Sequence, residues 1–124
     1  MQYEEVAPDF EAGPLDELVH VLPTENVVVL ATSFYDSVAT CLTQLGTAAS
    51  RYDWATVQEQ AHDLKGISGT FGALRLQQLA GELEYAIGVS SSQAATMLQE
   101  MRETFAVARK EIEGMLTLSN DKAA

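Results

Sequence analysis

Residues 53–72 read DWATVQEQAHDLKGISGTFG. Trp54, Val57, Ala61, Leu64, Ser68 and Phe71 recur at intervals of three and four, which predicts a helix with one inward stripe, and Asp53 stands where a side-chain oxygen would cap its first turn. His62 and Lys65 fall off that stripe, three residues apart, so an imidazole and an ammonium share a face near the solvent boundary. Gly66 and Gly69 stay close to the same face and put hydrogens where larger side chains would stand. Each interior glycine costs about 1 kcal/mol of helix propensity relative to alanine, which fits a need for close approach by a partner or a neighbouring helix. Gly72, beyond Phe71, reads as the terminator of the helix. A histidine placed this way is offered to a large partner rather than wrapped around a small substrate.

Working outward, Val27, Leu30, Ala31, Phe34, Val38, Ala39, Leu42 and Leu45 carry a helical period over residues 26–45, and residues 46–52 read as a break. After Gly72, the residues Leu76, Leu79, Leu83, Ala86 and Ile87 predict another helix, ended by Gly88. Ser90 followed by Gln93 is a capping-box pair, and the period then runs through Ala94, Met97, Leu98, Met101, Phe105, Ala108, Ile112 and Met115 to about Leu118. At a rise of about 1.5 Å per residue the four helices are roughly 25 to 40 Å long. Their short connections favour antiparallel neighbours, so the expected fold is all-α, an antiparallel up-and-down four-helix bundle over residues 25–118. Residues 1–24, with Pro8, Gly13, Pro14 and Pro23, read as a flexible N-terminal extension holding one short helix around Leu15 to Leu22. Residues 119–124 read as a small polar tail.

A chain of 124 residues suits one cooperative core. It has no run of apolar residues long enough to span a bilayer and no signal-peptide pattern at its start, which predicts a cytoplasmic protein without membrane insertion. Seven basic residues against eighteen acidic ones give a formal charge of −11, and residues 1–50 hold eight carboxylates with no lysine or arginine. Nucleic-acid phosphate would be repelled by such a surface. Cys41, the single cysteine, lies in an apolar helical pattern and is expected to pack. His20, Cys41 and His62 are too scattered for a zinc set, no calcium-loop spacing occurs, and no catalytic triad or nucleotide-binding loop is present. No cofactor or metal is therefore expected in the chain itself.

An accessible neutral imidazole is a nucleophile at physiological pH, which is what accepting and releasing a phosphoryl group requires. The transfer also needs positive charge near the phosphoryl oxygens, and Lys65 is the nearest candidate in sequence, with Arg75 at longer range. The segment His62-Asp63-Leu64-Lys65-Gly66, followed by Ser68, Gly72, Leu76 and Leu83-Glu84, resembles the histidine-containing phosphotransfer (Hpt) domain of multistep two-component phosphorelays. The likeness extends over roughly residues 25–117. It implies that His62 is the phosphoacceptor, that Lys65 stabilises the phosphoryl charge, and that Glu84 on the next helix accepts the hydrogen of the imidazole Nδ1, freeing Nε2 as nucleophile. Some members of the family carry a further basic residue one turn beyond that glutamate, where this chain has Gly88.

The implied partners are response-regulator receiver domains, a hybrid histidine kinase among the candidates, and the implied receiver supplies the aspartate and a divalent magnesium ion. Docking would use Gln58, Glu59, Gly66, Ile67 and Gly69, bordered by Ser33, Ser37 and Thr40. The implied protein is a phosphoryl carrier without ATP-dependent kinase activity. The alternative is an acidic helical adaptor whose His62 is never phosphorylated. A di-metal four-helix enzyme would need repeated Glu-x-x-His elements, which the chain lacks. An isolated helical histidine is ordinarily a surface residue, and His20, without such companions, is read that way.

Overall fold

The computed structural model describes residues 5–86 and 88–123, with side chains described to Ser119. The elements in chain order are α1 (Gly13–Val21), α2 (Thr24–Ser50), α3 (Trp54–Ser68), a 3-10 turn (Gly69–Phe71), α4 (Leu74–Glu84) and α5 (Ser91–Ala123). Helix α2 packs on α3 and α5, α3 on α4, and α4 on α5, which closes a ring of four helices. The start of α2 meets the end of α5, where the Thr24 and Ser119 hydroxyls are 3.1 Å apart, so these two helices run antiparallel. Helices α3 and α4 do the same, since His62 faces Glu84 while Gly69 faces Gln77.

The turn joining α2 to α3 shows how little chain such a reversal needs. Helix α2 does not stop at Gly46. Ala48 and Ala49 continue its buried stripe beyond Leu45, and the helix runs to Ser50 in place of the expected break. Tyr52 then adopts a left-handed backbone (φ 58°), its N–H bonding the Ala49 carbonyl while Asp53 N–H reaches back to Ala48. That pair of bonds is the Schellman ending of a helix. The Asp53 side chain in turn accepts from Thr56 N–H, so one residue closes α2 and opens α3. The end of α3 repeats the motif with Gly72 (φ 79°) in the left-handed position.

Helix α4 ends at Glu84, short of the expected Gly88, and Ile87 lies outside the described residues. The capping box is present: Ser90 N–H donates to Gln93 Oε1 (2.9 Å) and Gln93 N–H to Ser90 Oγ (3.1 Å). Helix α5 continues to Ala123 where a polar tail was expected.

Helices α2 and α5, of 27 and 33 residues, outlast α3 and α4, of 15 and 11. Their overhanging apolar stripes would meet water if nothing covered them. Helix α1 does so: Leu15 is fully buried and Leu18, Val19 and Leu22 pack against the same core. The segment before it is strapped down rather than loose. The Gln78 side chain accepts from Ala7 N–H (2.8 Å) and donates to the Glu5 carbonyl (2.7 Å), Asp9 accepts from the buried Thr104 hydroxyl, and Glu11 N–H donates to the Gly72 carbonyl (2.8 Å). A Cβ at Gly72 would run into the Glu11 carbonyl, so glycine is required there by both backbone and space. The aromatic centre of the core is Phe34 stacked on Phe71 at 4.7 Å, with Phe105 edge-on.

Candidate functional site

The buried stripe of α3, Val57, Ala61, Leu64 and Ser68, fixes the rotation of that helix. His62 and Lys65 each follow a fully buried residue, Ala61 and Leu64, and the turn of about 100° per residue carries both to the seam with α4. Ser68 is buried without cost in lost bonding, because its hydroxyl donates to the Leu64 carbonyl (2.6 Å).

Across the seam, Glu84 is the last residue of α4. Its Oε1 lies 2.5 Å from His62 Nδ1 and its Oε2 lies 2.8 Å from Lys65 Nζ. The carboxyl is held below the usual carboxylate range, first by the Lys65 ammonium at its Oε2 and then by His62. An ionised carboxylate only accepts, so the proton of the neutral imidazole belongs on Nδ1. Among the described residues no hydrogen bond engages Nε2, and the His62 side chain is 66% exposed, against 13% for Glu84. The Lys65 amine is pushed up, chiefly by its bond to Glu84. A carboxylate at the C-terminal end of a helix opposes the negative end of the helix dipole, and the two groups from α3 offset that.

Two residues that sequence reading passed over line the Lys65 side chain. Gly81 lies under its stem, where an added Cβ would sit 3.3 Å from Lys65 Cδ. Tyr85 lies at its tip, with the ammonium 4.9 Å from the ring centroid and 3.5 Å from the phenol oxygen. Residues 81 and 85 share a helical face, and that spacing was the available signal. It carries no meaning until Lys65 is known to cross it.

The remaining expected site residues are spread along α3. Gln58 and Glu59 are exposed, and Gln58 borders a cleft of about 220 Å³ formed with Trp54, Leu83 and Val89. Gly66 has open space around it: a Cβ there would touch nothing within 4 Å. Gly69 differs, since a Cβ would lie 2.5 Å from Gln77 Nε2, so its bareness serves the α3–α4 contact. Ile67 is half-buried against the core. Ser33, Ser37 and Thr40 are exposed on α2.

Arg75 is not brought to the histidine. Its guanidinium is committed to Glu100 on α5 (2.6 Å) and to Gln78 (2.7 Å), which overturns the idea of a longer-range contribution. His20 turns back on its own helix, Nδ1 donating to the Asp16 carbonyl. Cys41 is buried, and burial followed by the Asp63 charge pushes its thiol up, as suits a packing residue. Among the described residues no group of three or more His, Cys, Asp or Glu side chains is placed to hold a metal ion, and no helix is long and apolar enough to cross a membrane.

An imidazole held at Nδ1 by a carboxylate, on a largely exposed side chain, thus stands beside an ammonium on a four-helix ring. Comparison with known families matches the Hpt domain over residues 29–120, about three-quarters of the chain. The chain belongs to the Hpt domain family. Neither curated proteins nor solved structures give a match. Membership places the chain in phosphorelay signalling, among domains that carry a phosphoryl group without catalysing its transfer and that work with receiver domains and hybrid kinases.

Proposed function

We propose that this Hpt domain accepts a phosphoryl group on His62 Nε2 from the aspartyl phosphate of a receiver domain and passes it to the aspartate of another. The observation that supports this most is the Glu84 carboxylate on Nδ1, which leaves the Nε2 lone pair free on a largely exposed side chain. In the transfer, the Nε2 lone pair attacks phosphorus while the bond from phosphorus to the aspartate oxygen breaks, its electrons leaving with the carboxylate. No proton need move. Nδ1 keeps its hydrogen, and Glu84 faces the positive charge that the ring gains. Lys65, one turn along, supplies positive charge to the phosphoryl oxygens. The divalent ion belongs to the receiver, and Gln58, Glu59, Gly66, Ile67 and Gly69 form the docking strip beside the histidine.

The test is incubation with a phosphorylated receiver. The wild-type chain is expected to acquire acid-labile, base-stable label, and His62→Gln none, with helicity unchanged. Binding of the receiver without label on the wild type would favour the adaptor reading instead.

A further inference from the structure

We infer that Tyr85 is a positioning residue of the phosphoryl site, its ring and hydroxyl holding the Lys65 ammonium beside His62 so that this charge is available when Nε2 is phosphorylated. The inference rests on the carrier reading and goes beyond it, since neither the family motif nor the sequence reading assigns Tyr85 a role. Three observations meet here.

First, Glu84 holds both groups at once, with Oε1 on the imidazole and Oε2 on the ammonium, so phosphoryl oxygens arriving at Nε2 compete with Glu84 for the Lys65 charge. A lysine released from Glu84, its one ionic partner among the described residues, would disperse over many rotamers. Second, Tyr85 offers the ammonium a place on the same side of α4, over the ring face and near the phenol oxygen. Attraction of this kind persists in water because it depends on the ring quadrupole. Third, Gly81 leaves bare backbone under the Lys65 stem, so the side chain crosses α4 in a slot with Gly81 as floor and Tyr85 as end wall. Tyr85 is 72% exposed, so the Lys65 side chain is the contact that gives its ring a role in the site. Together these give one ammonium two simultaneous partners, Glu84 and Tyr85, so that the Tyr85 contact keeps it beside His62 when phosphoryl oxygens compete for the Glu84 contact.

Because Tyr85 is exposed, contact with a receiver would confound its role at Lys65, so the test avoids receivers. Phosphoramidate labels histidine directly: Nε2 attacks phosphorus, the phosphorus–nitrogen bond breaks, and ammonia leaves with the electron pair. The full chain, Tyr85→Phe, Tyr85→Ala, Lys65→Ala and the Tyr85→Ala/Lys65→Ala double variant are compared for the rate at which His62 gains label. Lys65→Ala is expected to slow labelling on the order of tenfold in this exposed site. Tyr85→Ala should slow it about threefold and Tyr85→Phe less, because the phenylalanine keeps the ring. In the Lys65→Ala background Tyr85→Ala should change nothing.

Equal rates for Tyr85→Ala and wild type would overturn the inference, as would a Tyr85→Ala effect that survives undiminished without Lys65, since that would be a structural effect alone. A Lys65→Ala variant that labels like wild type would overturn it too. Each of these leaves the carrier reading standing, whereas a wild-type chain labelled by neither phosphoramidate nor a receiver would end both.

Discussion

At the scale of single residues, the site is an arrangement of one carboxylate between two donors. Glu84→Gln keeps an oxygen able to accept from Nδ1, so phosphoryl acceptance is expected to survive. Glu84→Ala removes the acceptor and should slow transfer by loosening the ring, though less than Lys65→Ala; transfer rates in the three variants check the order. The same pair has a definite pH signature. Lys65, then His62, lowers the Glu84 carboxyl, so the pair's contribution is present above the ordinary carboxylate range and is lost as pH falls through the lowered value. Lys65 is raised, so its share is complete below the ordinary amine range and disappears only as pH rises through the raised value. An NMR titration of the Glu84 side-chain carbonyl carbon should show its midpoint below the usual carboxylate range in the wild type, and moved upward in Lys65→Ala. An unmoved midpoint would mean the 2.8 Å contact does not persist in solution. His62 and Lys65 were legible because they lie within one helical turn, so spacing alone set their common face. Glu84, 22 residues on, needed the register between two helices, which short connections leave open and only the family resemblance suggested. Tyr85 was invisible because its contact runs through the stem of a lysine on another helix.

At the scale of elements, apolar periodicity located all four long helices, and side-chain caps such as Asp53 and the Ser90–Gln93 pair located two starts. Helix ends were read less well, for a specific reason. Glycine was taken as the stop signal, whereas α2 passes through Gly46 and ends with tyrosine in the left-handed position. A glycine one turn from an end and a strained non-glycine at the end look alike to a rule that counts glycines. The two Schellman endings make a matched pair for experiment. Tyr52→Gly should stabilise the protein by about 0.5–1 kcal/mol, since a β-carbon is disfavoured at φ 58° and the ring, 70% exposed, packs little. Gly72→Ala should destabilise by more than 1 kcal/mol, because it adds backbone strain and a collision with the Glu11 carbonyl. Chemical denaturation of both variants reads the two signs, and a Tyr52→Gly protein less stable than wild type would show that the ring does more than sit on the surface.

At the scale of the whole molecule, the bundle is built from helices of unequal length, and that inequality explains the N-terminal segment. Sequence suggested a loose lead-in because Pro8, Gly13, Pro14 and Pro23 break any long period, with one short helix around Leu15 to Leu22; that helix is present, and Leu15, Leu18, Val19 and Leu22 supply its apolar face. What the reading lacked was the mismatch between α2 with α5 and α3 with α4, which creates an apolar overhang for α1 to cover. Covering this end of the bundle and carrying a phosphoryl group are separate tasks in space. Helix α1 packs on α2 and on the 3-10 turn, which begins seven residues beyond His62, about 10 Å along the helix axis. Leu15→Ala is therefore expected to lose about 3 kcal/mol, the usual cost of emptying a fully buried leucine site, visible as a lower urea midpoint with an unchanged denaturant slope. Under native conditions most molecules would remain folded, and His62 should gain label at the wild-type rate. If labelling instead falls in step with stability before unfolding begins, α1 holds α3 and α4 in register, and the strap of residues 5–12 along α4 would be the mechanical link between the two ends.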